Sequence, residues 1–137
     1  MAARNGHLKV VQWLLEHGGS TISERNLTGC TALILSAHGG HLTVVQWLVE
    51  KGGSSVTEVT NMGFTPLLTA LQAGNIDVVS WLLRKGGSSM EDTTNDGKGV
   101  WDIVLDLLDK LCPQKISDIL RMLNSMYPMP YNLEKYA

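Results

Sequence analysis

The sequence predicts an all-α solenoid of stacked antiparallel helix pairs joined by extended β-turn loops. Three observations predict it. One segment recurs at a fixed 34-residue period, each copy carries a helical apolar stripe, and each stripe ends at a Gly-Gly pair.

The period is read directly. Gly6 to Glu16 (GHLKVVQWLLE) returns as Gly40 to Glu50 (GHLTVVQWLVE) and again from Gly74 as GNIDVVSWLLR. Trp13, Trp47 and Trp81 keep the 34-residue spacing, as do the glycine pairs at 18/19, 52/53 and 86/87. On a helical wheel of about 100° per residue, Leu8, Val10, Val11, Leu14 and Leu15 share one arc, while Lys9, Gln12 and Glu16 form a polar stripe. The matching stripes are Thr43, Gln46, Glu50 and Asp77, Ser80, Arg84, the expected solvated outer face. Each Trp falls between the two, a border position that suits a ring with a wet N–H. The glycines supply the left-handed conformation a helix C-terminus often needs.

A polar stretch follows each pair, then a shorter helix. Thr65 is placed to cap it and Pro66 to occupy its first turn, where a missing N–H costs nothing. Thr31 fills the same role in the preceding copy, so the short helices read Ala32 to Ala37 and Pro66 to Ala73. Such pairs cannot bury their apolar faces alone and must stack.

These residues resemble the ankyrin-repeat family, whose pattern of G-x-T-P-L-H-x-A-A-x-x-G-H is matched by Gly63-Phe64-Thr65-Pro66-Leu67 with Ala70 and Gly74. Gly29-Cys30-Thr31-Ala32-Leu33 with Ala37 and Gly40-His41 matches it again, and the resemblance covers roughly residues 1–100. It implies an ankyrin-repeat solenoid. Two features depart from the pattern: a period of 34 rather than about 33, and Ile34 and Leu68 in place of the histidine, which removes a polar turn-stabilising group.

The expected divisions are a partial first repeat at 1–28, a second repeat at 29–62, a third at 63–96, a divergent helical capping repeat at 97–126 and a tail at 127–137. The chain enters in mid-repeat, which points to a fragment of a longer array with an uncovered N-terminal end, able to fray or self-associate. At the other end Gly99 replaces the capping Thr. A helix with Ile103, Val104, Leu107, Leu108 and Leu111 breaks at Cys112-Pro113, and a last amphipathic helix points Ile116, Ile119, Leu120 and Leu123 inward. Tyr127-Pro128-Met129-Pro130-Tyr131 ends helical structure.

Composition narrows the function. The 137 residues carry eleven basic and thirteen acidic side chains for a net charge of −2, with no basic patch, so nucleic acid is not an expected partner. No apolar run is long enough for a membrane span or a signal peptide, and two distant cysteines make no disulfide framework. An intracellular, cytoplasmic setting without membrane contact is expected.

No catalytic motif is present, so the chain reads as a non-enzyme without cofactor or metal. His38 and His41 lie three apart but at a helix–helix turn, with no Cys, Asp or Glu close in sequence to complete a metal site. His7 and His41 fill the G-H position, where the ring bonds local backbone. Cys30 has only His38 as a nearby base, across one to two helical turns, and reads as a small turn side chain.

What remains is a binding surface. In proteins that this chain resembles, the turn tips and the exposed side of the short helices bind partner proteins. The resemblance places Arg25, Leu27 and Cys30 on the first tip, Val59, Met62 and Phe64 on the second, and Thr93, Asp96 and Lys98 on the third. His38 and Gln72 fall at the far end of the short helices. Val59, Met62 and Phe64, the chain's single Phe, are apolar where a solvated turn is polar. They are either interface anchors or side chains tucked against the neighbouring turn. The expected function is a protein–protein interaction module; the alternative is a structural spacer or self-assembling scaffold segment.

Overall fold

Thr31 and Thr65 start the architecture. Each sits in extended backbone and accepts a hydrogen bond from the N–H three residues on, Ile34 at 3.5 Å and Leu68 at 3.3 Å, which satisfies one of the orphan donors of a helix N-terminus. The computed structural model describes residues 9, 12–13, 25, 27–88, 91–108, 110 and 113–125. They form α1 (Ala32–Gly39), α2 (Leu42–Glu50), α3 (Pro66–Gln72), α4 (Ile76–Arg84), α5 (Val100–Leu107) and α6 (Pro113–Asn124). Lys9, Gln12 and Trp13 are helical too. The predicted first-repeat packing, the open N-terminal end, Cys112 and the tail lie outside the described residues, and no strand occurs among those described.

The helices stack in two layers. An inner layer runs α1, α3, α5, and an outer layer runs α2, α4, α6, with α1 packed on α2 and α3 on α4. The fold is therefore the all-α, ankyrin-type solenoid expected, with extended turns between pairs. Inner helices are covered on most sides: Leu33, Ile34, Leu67, Leu68 and Leu71 are all fully buried. Outer helices are amphipathic, burying Val44, Val45 and Leu48 in α2 and Val78, Val79 and Leu82 in α4. Burial of a Leu or Val is worth about 1.5–3 kcal/mol, so the stacked interfaces, not helix propensity, hold helices this short. α6 closes the outer layer with Ile116, Ile119, Leu120 and Leu123 inward.

Ile34 and Leu68 serve the core, and the turns are held by other groups. Asn61 N–H donates to Thr28 O at 3.0 Å and Asn61 Nδ2 to Leu27 O at 3.1 Å. One period on, Asn95 N–H donates to Met62 O and Asn95 Nδ2 to Asn61 O, both at 3.0 Å. The Thr31 hydroxyl donates to Glu58 Oε1 at 2.6 Å, tying a short helix to the next turn.

The Gly-Gly pairs divide their labour. Gly53 and Gly87 take the left-handed backbone, but Gly52 and Gly86 do not. A Cβ on Gly52 would meet Leu48 backbone and the Trp47 ring at 3.1 Å, and one on Gly86 would meet Leu82 Cα and the Trp81 ring at 3.0 Å, so the first glycine leaves room for both the helix end and the indole. The tryptophans are not equivalent either. Trp13 is 57% exposed, whereas Trp81 is 9% exposed because α4 is flanked by both α2 and α6. The expected uniform border position is thus corrected at Trp81, which belongs to the core.

Candidate functional site: a groove on the inner face

Two consecutive turns and the helices behind them enclose a groove. The tip at Thr60–Phe64 is a tight hairpin: Gly63 N–H donates to Thr60 O at 2.9 Å and Thr60 N–H to Phe64 O at 3.0 Å. The Thr60 hydroxyl also accepts from Met62 N–H at 3.3 Å and Phe64 N–H at 3.2 Å. With Gly63 in left-handed backbone, this is a tight turn followed by a bulge-type glycine. Met62 stands at its crest, 63% exposed, and Phe64 at its base is half-buried.

The groove holds about 390 Å³. Of the nine residues singled out from the sequence, Cys30, His38, Met62, Phe64 and Gln72 line it. They come from different turns and helices, joined only by stacking. Thr28, Ile34, Leu35, Thr60 and Thr69 complete the lining. Sequence reasoning missed these five, although the register offered a signal for Thr69: the positions one period away are Leu35 and Ile103. Thr69 is 9% exposed and its hydroxyl has no hydrogen-bond partner among the described residues.

The other four stand elsewhere. Arg25 is a staple, its guanidinium donating to Gly29 O at 2.7 Å and to Val59 O at 2.5 Å. Leu27 is fully exposed, and Val59 is exposed on the next tip. Lys98 belongs to the following turn, with Nζ 2.8 Å from Asp106 Oδ2. That hydrogen bond raises the Lys98 ammonium above the usual lysine value, and it lowers the Asp106 carboxyl below its own. Both side chains are about half exposed, so the pair adds little stability.

The groove's chemistry suits recognition. The Cys30 thiol and the Thr28 hydroxyl share a hydrogen bond at 3.3 Å. Among the described residues no group of three His, Cys, Asp or Glu is placed to hold a metal. No described helix is long and apolar enough to cross a membrane. Rigid helices behind, hydrogen-bonded hairpins in front and an apolar floor between them favour binding a side chain from a partner.

No curated protein matches the chain as a relative. A family model described as ankyrin repeats, three copies, matches residues 1–94. That span holds the period, the capped short helices, the hairpin tips and the groove between them, and the chain belongs to the ankyrin-repeat family.

Proposed function

We propose that the chain binds a partner protein through its inner face, with the groove at Met62 and Phe64 as the anchor point. Ankyrin repeats generally mediate protein–protein interaction. One observation carries the choice of surface: five of the residues singled out, on two turns and two helices, line one groove, and its most exposed large apolar member, Met62, comes from the tip. Met and aromatic side chains in a partly desolvated pocket are the usual interface anchors. Cytoplasmic placement suits a Cys30 side chain that stands as a thiol.

The test compares wild type, Met62→Ala, Phe64→Ala and the outer-face control Thr43→Ala as baits for quantitative affinity capture. Circular dichroism melts establish that each is folded. At least one partner should fall about tenfold with both groove variants, the effect of about 1.4 kcal/mol, and stay constant with Thr43→Ala. Equal recovery of every partner by wild type and both groove variants rejects the assignment.

A further inference from the structure

The inner face does not stop at the groove, and its chemistry changes along the stack. Residues one period apart occupy the same strip. Thr28, Met62 and Asp96 follow one another at the crests, Cys30, Phe64 and Lys98 at the turn bases, and His38, Gln72 and Asp106 at the helix ends. The last two turns are joined through Asn95, which donates to Met62 O and to Asn61 O, and α3 packs on α5. The surface therefore runs unbroken from the groove to the final turn.

Charge is segregated along it. Of the nine strip positions, Asp96, Lys98 and Asp106 carry Asp or Lys, and all three belong to the last copy. Asp96, Asp102 and Asp106 are all exposed around Lys98. Asp102 is committed to the Gly99 N–H at 2.9 Å; on the strip itself Asp106 shares its carboxylate with Lys98 at 2.8 Å, and Asp96 stands exposed beside the pair. At the opposite end Arg25 rests on two carbonyl oxygens, so no carboxylate cancels its charge through those contacts. The face is apolar in the middle and acidic toward the last turn.

The floor adds a second, independent mark. Thr69 lines the groove, is nine-tenths buried and has an unpartnered hydroxyl among the described residues. A buried hydroxyl without a partner costs free energy, and the same position is apolar in the flanking helices, Leu35 and Ile103. It suits a site that receives a polar main-chain group beside an apolar side chain.

On the reading that this groove binds a protein, we propose that the occupant is an extended segment with one large apolar side chain and a Lys or Arg about three residues away. The apolar side chain enters the groove, and the cation lies over Asp96 and Asp106. The spacing follows from geometry. Stacked helices stand about 8–10 Å apart, which an extended chain covers in about three residues at about 3.3 Å each. A groove of about 390 Å³ lies at the small end of the range for ligand pockets and takes one anchor. Arg25 at the other end disfavours the reversed placement.

A random linear dodecapeptide library displayed on phage and panned against the full chain tests this. Enriched peptides, resynthesised with a fluorophore, are then titrated by anisotropy. Enriched sequences should share a Leu, Met, Ile or Phe with a Lys or Arg about three residues away. The double variant Asp96→Asn with Asp106→Asn should weaken them about three- to tenfold, Lys98→Gln should tighten them, and raised salt should erase both effects. Enriched peptides without the cation, or unmoved by the Asp variants, overturn the inference while leaving the groove reading intact. Peptides unaffected by Met62→Ala and Phe64→Ala overturn the groove reading as well. A library that yields no binder overturns the inference, and so does concentration-dependent self-association lost in Met62→Ala, which gives the groove to a second copy of the chain.

Discussion

The hairpins at Thr60–Phe64 and Thr94–Lys98 are built alike. In each, the glycine N–H donates to the Thr carbonyl at 2.9 Å, and the Thr N–H donates to the last residue's carbonyl at 3.0 Å or 2.9 Å. Their surroundings differ. The first is covered by the second, since Asn95 lies against Met62 and Gly63, while a Cβ at Gly97 would meet nothing within 4 Å among the described residues. Their side chains differ in step: Met62 and Phe64 around the inner glycine, Asp96 and Lys98 around the outer. The same local grammar thus makes an interior joint in one place and a solvated edge in the other. In a stack of repeats, position along the stack decides what a residue contributes.

The largest expected effect separates strain from stacking. Gly63 and Gly97 share the left-handed backbone, with φ of 86° and 82°, so Ala at either costs about 1–2 kcal/mol. Only Gly63 also faces backbone, since its Cβ would come 2.6 Å from Asn95 N. Gly63→Ala must separate the two hairpins and strain their hydrogen bonds, for a total of about 3 kcal/mol. Chemical denaturation of both variants measures the difference. Equal losses would mean that the outer hairpin adds no stability to the inner one.

Helix starts give the next contrast. Thr65→Ala removes a capping hydroxyl that accepts from Leu68 N–H and should lower stability by about 1 kcal/mol. The final inner helix has Gly99 at this position, in extended backbone with φ −97° and ψ −170°, keeping only the reciprocal bond from its N–H to Asp102. A Cβ there has room, its nearest neighbour being 3.7 Å away. Gly99→Ser should therefore raise stability by about 0.3–0.5 kcal/mol. A loss in thermal melts would show that the last turn cannot accommodate a cap.

How much of this was legible in the sequence follows from the physics of each element. The helix pairs and their order were legible because a 34-residue period leaves one consistent stacking, and Thr65-Pro66 announces a helix start in its own chemistry. Five groove residues were legible through the family resemblance, which assigns register positions to the inner face. Thr69 was legible only as a polar residue where the flanking copies have Leu35 and Ile103; that its hydroxyl has no partner among the described residues shows only in the fold. Nor was the different burial legible for Trp13 and Trp81, which hold the same position in the repeat and have different neighbours in space. The two members of a Gly-Gly pair also looked alike, because only the fold shows that one must admit a ring and the other must take a positive φ.

The smallest effect concerns the two acidic residues one period apart behind these turns, Glu58 and Asp92. Glu58 accepts from the Thr31 hydroxyl at 2.6 Å and from Ser55 N–H at 3.2 Å. Glu58→Gln weakens both bonds, so stability at neutral pH should fall. Asp92 is the opposite case: burial pushes its carboxyl above the ordinary value of 3.8, against the hydrogen bond with Thr65 that pulls it down. A folded-state value above the unfolded one means that the protonated form is favoured by folding. That contribution is fully present below 3.8 and is lost as pH rises through the raised value. At neutral pH the ionised Asp92 therefore opposes folding, by well under about 1 kcal/mol given its exposure to solvent. Asp92→Asn keeps an acceptor for the Thr65 hydroxyl without the charge. It should raise the melting temperature slightly at pH 7, with the gain fading toward pH 3. A lower melting temperature at pH 7 would show that the charge strengthens the bond to Thr65 by more than burial penalises it, making Asp92 a second Glu58.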